Sequence, residues 1–190
     1  MRKLRTIEMK RLTVEQFRLA EKMPLVVVLD DVRSLHNVGS VFRTCDAFRV
    51  EAVYLCGITA TPPHVEIHKT ALGAEDSVAW RYFKTADEAI AELHQQGCFV
   101  YSVEQVEGSK KLHELSLSEA HGVTDCSASE KEACSRYAVV FGNEVKGVHQ
   151  SVVDASDGCL EIPQFGTKHS LNVSVTAGIV VWEFAKRWKM

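Results

Sequence analysis

The sequence contains no apolar run long enough to cross a bilayer. Its longest uninterrupted aliphatic stretch, Leu25 to Leu29, falls far short of the ~20 residues a spanning helix needs. It also lacks an apolar signal core near its start, where charges begin at Arg2, so no secretory leader is expected and the cytoplasm is the expected location. There is no CxxC pair. The six cysteines, Cys45, Cys56, Cys98, Cys126, Cys134 and Cys159, are widely spaced, and most lie in apolar surroundings. They read as reduced structural thiols, and without metal-ligand spacing no metal site is expected. Neither an internal repeat nor a low-complexity tract is evident. A formal net charge of −3 excludes a surface coated in positive charge. Basic charge is concentrated locally at the chain ends. Residues 1–22 hold Arg2, Lys3, Arg5, Lys10, Arg11, Arg18 and Lys22 against Glu8, Glu15 and Glu21, which suits either a solvated helix or a phosphate-contacting arm.

What remains is a chain of 190 residues, 46% apolar, able to bury one substantial core. After Pro24, LVVVLD reads as a buried parallel strand, and EAVYLC, SVAWRYF, CFVYSV, YAVVF and CLEIP read as further strands. Helical patterns fall between several of them, such as Ala86, Ala89, Ile90 and Leu93 on one helix face. This alternation predicts an α/β domain with a mostly parallel sheet flanked by helices. The expected organisation is a basic N-terminal segment over residues 1–23 and one domain over 24–190. Within that domain a polar, Ser- and charge-rich surface insertion is expected at about 118–136.

Three segments carry chemistry. In LDDVRSLHNVGSVFRTCDAF a strand gives way to a helix whose buried stripe is Val38, Val41, Phe42 and Cys45. Arg43 points off that stripe and back over Gly39, whose missing side chain would leave room for the guanidinium or a ligand. Asn37 is either functional or a helix cap. In YAVVFGNEVKGV a strand ends at Gly142, with Gly147 beyond it. Small residues there would admit a ligand close to the backbone, while Glu144 could order the loop or accept a hydrogen bond. This is not GxGxxG, which disfavours the ordinary Rossmann arrangement. In CLEIPQFGTKHSLNVSVTAGIVVWEF a strand ends at Ile162-Pro163, and a loop containing Gly166 leads to a strongly apolar helix beginning near Asn172. Ser170 and Asn172 could cap it. One stripe of that helix is Val175, Gly178, Ile179 and Trp182; the adjoining face is Ala177, Val181 and Phe184. Such wide apolarity predicts burial against the core or a partner subunit.

In this order and spacing, NVGSVFRTCDAF, VVFGNEVKGV and IPQFGTKHSLNVSVTAGI resemble the three signature motifs of the SpoU, or TrmH-like, family of RNA 2'-O-ribose methyltransferases in the SPOUT superfamily. With HKTALGAEDSVAW between the first two, the resemblance covers roughly residues 24–185. It implies a deep C-terminal trefoil knot, a rare exception to the rule that chains avoid threading. It also implies S-adenosyl-L-methionine as cofactor, held at strand ends by Val103, Gly142, Ile162 and Leu171, where backbone groups supply hydrogen bonds and apolar side chains wall the adenine. The catalytic positions carried over are Arg43, Asn37, Glu144, Ser170 and Asn172. Arg43 would position a phosphate and stabilise the developing alkoxide, with base action as the alternative, since a guanidinium gives up its proton only at great cost. Asn37 would orient Arg43 or the substrate, while Glu144, Ser170 and Asn172 would shape the site. No metal is required, because the sulfonium methyl is already an activated electrophile.

One departure is Val145, where many relatives carry a small residue after the glutamate. With only ~23 residues before the first strand, no separate RNA-binding domain is expected. The partners implied are RNA, tRNA favoured over rRNA, and a second copy of the chain in a homodimer. A noncatalytic RNA-binding or assembly protein that keeps the fold is the competing class. Methylation of a nucleobase or of protein is a third.

Overall fold

The computed structural model describes residues 1–9, 11–117 and 136–189. The expected insertion at 118–136 therefore lies outside the described residues except for Arg136, as do Cys126 and Cys134. A single sheet organises the chain. Its strands are β1 (Met23–Asp30), β2 (Val50–Cys56), β3 (Ala79–Phe83), β4 (Phe99–Val103), β5 (Lys110–Lys111), β6 (Tyr137–Phe141) and β7 (Gly158–Glu161). Their order across the sheet is β3-β2-β1-β6-β4-β7-β5, and every pairing is parallel. The six strands read from the sequence are all present. The two-residue β5 carries no apolar run that could have announced it.

The helices are α1 (Val14–Leu19), α2 (Leu35–Ala47), α3 (Val65–Ala71), α4 (Ala74–Ser77), α5 (Ala86–Gln95), α6 (Gln150–Ala155) and α7 (Val173–Lys189). Side chains of successive strand residues point to opposite faces, so the central strands feed two cores. Leu25, Val27 and Leu29 of β1 join Tyr137, Val139 and Phe141 of β6 in the core beneath α2, α3 and α7. Val26, Val28, Ala138 and Val140 face the other way, into the core covered by α5 and α6. Burial on both faces explains why these strands are continuous apolar runs.

The predicted stripe of α2 is fully buried, as are Ala86, Ala89, Ile90 and Leu93 of α5. Helix starts follow from local chemistry. Ser34, Thr85 and Thr13 accept the backbone N–H groups of Asn37, Glu88 and Gln16, and Gln16 returns a bond to Thr13 to complete a capping box on α1. Gly39 does not leave space for Arg43 or a ligand. A side chain there would collide with the Ile67 carbonyl and the Thr70 hydroxyl, so the glycine serves the close packing of α2 on α3.

The α7 pattern divides in two. Ala177, Val181 and Phe184 are buried, together with Val173, Val180 and Ala185, whereas Val175, Ile179 and Trp182 stay 51%, 38% and 42% exposed. Near the end of the chain β7 lies between β4 and β5, which are joined by the short loop 104–109, a placement consistent with the knot. Among the described residues no helix is long and apolar enough to cross a membrane. Cys45, Cys56 and Cys159 are free, and burial pushes the Cys45 and Cys56 thiols well up, away from the reactive thiolate.

Candidate active site

The carboxyl ends of β4, β6 and β7 open onto one cavity of about 640 Å³. Parallel strands end there together while their connecting helices leave to either side, so the crevice is the place where such sheets take ligands. The cavity is lined by Val103 at the end of β4, Gly142 after β6, Ile162 after β7 and Leu171 before α7. All four positions that the resemblance assigned to the cofactor therefore share one wall system. Glu144, Ser170 and Asn172 line it too.

The loop after β6 is shaped by its own residues. Asn143 and Gly147 exchange backbone hydrogen bonds at 2.9 Å each, which brings the Gly147 backbone so close to Gly142 that a side chain on Gly142 would collide with it. Gly147 also has φ of +71°, a conformation open to glycine. The Asn143 side chain accepts the N–H groups of Val145 and Lys146 at 2.9 and 3.2 Å and donates to the Asp31 carbonyl at 2.8 Å. Val145, the departure noted in the sequence, projects outward at 78% exposure, so its bulk does not enter the turn.

Three side chains from the three motif segments form one chain of hydrogen bonds. Glu144 accepts the backbone N–H groups of Arg33 and Ser34 and the Asn37 side-chain amide, each at 3.0 Å. The Asn37 carbonyl oxygen accepts from the Asn172 amide at 3.1 Å. Asn172 in turn caps α7, its oxygen accepting the N–H of Ser174 at 2.9 Å and that of Val175 at 3.4 Å. Burial works to push the Glu144 carboxyl up. The donors from Arg33, Asn37 and Ser34 outweigh it and hold the group below its ordinary value. Asn37 is buried, and both ends of its amide are used in the bridge.

Arg43 stands apart. It is exposed on a different face of α2 from Asn37 and lines two neighbouring cavities. One also holds Arg11, Thr13, Asp46 and Arg49; the other holds Ser40, Thr44, Phe48 and Lys69. Its side chain makes no hydrogen bond or ion pair among the described residues. The structure thus gathers Asn37, Glu144, Ser170 and Asn172 near the positions assigned to the cofactor and leaves Arg43 outside them.

Sequence reasoning missed several residues around the site. Asn143 organises the loop, and Glu104 and Gln105, just past β4, tie the loops together: Glu104 accepts the Val148 N–H at 3.0 Å, and Gln105 donates to the His169 carbonyl at 3.2 Å. His149, following the same loop, bonds the buried Asp30 at 2.9 Å and fixes the start of α6 to the end of β1. Asp30, Asp31 and His149 form a group whose ligand-type atoms lie within 4.8 Å of one another. Polar residues at strand ends were the available signal, but their partners lie far away in sequence.

A parallel sheet whose strand ends open on one cavity, closed by loops from distant parts of the chain, defines an α/β protein that binds a small organic ligand at its strand ends. The chain belongs to the SpoU rRNA methylase family, whose model matches residues 24–182. It is 28% identical over 176 residues to the tRNA (guanosine(18)-2'-O)-methyltransferase of Thermus thermophilus, covering 93% of this chain and 81% of that protein. Against the 23S rRNA (guanosine-2'-O-)-methyltransferase RlmB of Neisseria meningitidis it is 29% identical over 160 residues, covering 84% of this chain and 57% of the relative. The fold is shared with the TrmH/SpoU tRNA-modifying enzyme of A. aeolicus at TM-score 0.74, 23% identity and coverage of 92% of this chain and 81% of that one. It is shared too with the AdoMet-bound rRNA methyltransferase of Sinorhizobium meliloti at TM-score 0.73, 23% identity and coverage of 92% and 60%.

Proposed function

We propose that the protein transfers the methyl group of S-adenosyl-L-methionine to a ribose 2'-hydroxyl of RNA. The observation that carries this reading is the convergence of the three motif segments on one cavity, with Val103, Gly142, Ile162 and Leu171 on its walls and the Glu144–Asn37–Asn172 bridge at its side. The aliphatic walls suit an adenine, and the strand-end backbone offers donors and acceptors to the polar parts of the cofactor. Asn37, Glu144 and Asn172 act as positioning residues that hold the motif loops in register, and Ser170 faces the cavity as a group able to touch the ligand. Arg43 meets the RNA: an exposed guanidinium without an internal partner suits a phosphate and the charge that develops on the attacking oxygen.

The working form in this reading is a homodimer. Val175, Ile179 and Trp182 leave an apolar stripe on α7, and Trp182 packs edge-on against Phe48, which shares a cavity with Arg43. Joining two protomers through this stripe places Arg43 beside the junction, where an RNA spanning both would meet it. Transfer RNA is the favoured substrate over ribosomal RNA, and the cytoplasm is the expected place of action. The test is incubation of purified protein with labelled S-adenosyl-L-methionine and separate tRNA and rRNA pools from a strain lacking it, followed by mass spectrometry of nucleosides. A 2'-O-methyl nucleoside in the tRNA pool is the expected result. Cofactor binding without transfer to any RNA would favour the noncatalytic reading.

A further inference from the structure

Three carboxylates line the cavity at the strand ends: Glu104, Glu144 and Glu161. Glu144 is occupied by its donors from Arg33, Ser34 and Asn37. Glu161 pairs with Lys111 and takes the Ser109 hydroxyl. Glu104 differs, because it accepts only two backbone N–H groups, Gln105 at 2.9 Å and Val148 at 3.0 Å, and pairs with no cation among the described residues. Those two bonds hold the carboxylate against the loop after β6, where it lies so near Gly147 that a side chain there would meet its Oε2. The charge reaches into the protein. Burial pushes the Cys159 thiol up, and the negative charge of Glu104 pushes it further the same way. The cationic residues on the cavity wall are Lys146, which is exposed and so screened by water, and His169 when protonated.

A fixed, unpaired carboxylate beside a cavity favours a ligand with positive charge over a neutral one of the same shape. S-adenosylmethionine and S-adenosylhomocysteine differ by one methyl group and by the positive charge of the sulfonium. We propose that Glu104 is a specificity-determining residue that favours the sulfonium cofactor and gives that preference up once the methyl group has left, so that the thioether product is released. The inference rests on the cofactor reading above.

The test is calorimetric titration of the wild-type protein and of Glu104→Gln with S-adenosylmethionine and, separately, with S-adenosylhomocysteine. The amide oxygen of Glu104→Gln can still accept the Val148 N–H that joins the two loops while charge is removed; only the bond from the adjacent Gln105 N–H is lost. Wild type should prefer the sulfonium. The variant should lose about tenfold in affinity for it and little for the thioether. Glu104→Asp, which keeps the charge, should retain the preference. Equal loss of both ligands in Glu104→Gln would reduce the residue to a loop support and overturn the proposal. Equal affinity of wild type for the two ligands would overturn it with no variant at all. Failure of wild type to bind either would instead remove the cofactor reading, and this inference with it.

Discussion

Arg43 and Asn37 lie on one helix, yet they do different work. Asn37 has spent its hydrogen-bonding capacity inside the protein, whereas Arg43 has spent none. Replacing Arg43 with Ala should therefore lower methyl transfer by about 100-fold or more, the scale seen when a charge-stabilising group is lost. Titration of S-adenosylmethionine should show unchanged affinity in the same variant, and a parallel loss of cofactor binding would contradict the role assigned. Glu144 carries a pH signature. Because its donors hold the folded carboxyl below the ordinary value of 4.5, its stabilising contribution is present above that value and is lost as pH falls through the folded one. Denaturant unfolding of wild type and Glu144→Gln should accordingly converge in acid and diverge toward neutrality. A difference that does not vary with pH would mean the carboxylate is not held as described.

At the scale of elements, α2 depends on Gly39. A methyl group there meets the backbone of α3, which cannot withdraw as a flexible side chain would. Gly39→Ala should cost about 1–3 kcal/mol in chemical denaturation. Since α3 then has to shift against α2, the loss should also appear as a lower thermal midpoint. Sequence reading found α2 and its buried stripe because a 13-residue amphipathic helix repeats its signal over several turns. It misread Gly39, because a glycine looks the same whether it leaves room for a ligand or for a neighbouring helix. The six longer strands were legible as apolar runs bounded by polar residues, while β5, two lysines on the sheet edge, was not. The cavity-lining positions were legible through motif resemblance. The Glu104–Val148 and Asn143–Asp31 contacts were not, since they join residues 44 and 112 positions apart that no local pattern links. On α7 periodicity marked both apolar faces but could not tell which would meet the core.

For the whole molecule, that ambiguity becomes a matter of assembly. Three large apolar side chains on one stripe of a terminal helix are more than scattered surface residues, and Trp182 already leans on Phe48 to extend the patch. Ile179→Glu would place an unpaired charge in any interface formed there, at a cost of several kcal/mol. Light scattering should find wild type dimeric and Ile179→Glu monomeric at the same concentration, with the circular dichroism of the protomer unchanged. A wild-type protein that is monomeric throughout would leave Arg43 to act beside a cavity in its own chain.

The bridge from Glu144 through Asn37 to Asn172 also sets a clock on synthesis. Its last link joins residues 135 positions apart, and Asn172 stands just before the final helix. Everything that forms the sheet precedes it in the chain, so a nascent protein can own nearly all of its strands and still lack a competent site. Loops separated by that much sequence meet late, after the entropy of the intervening chain has been overcome. The cavity therefore closes only after the chain has been made through Asn172, later than every strand of the sheet.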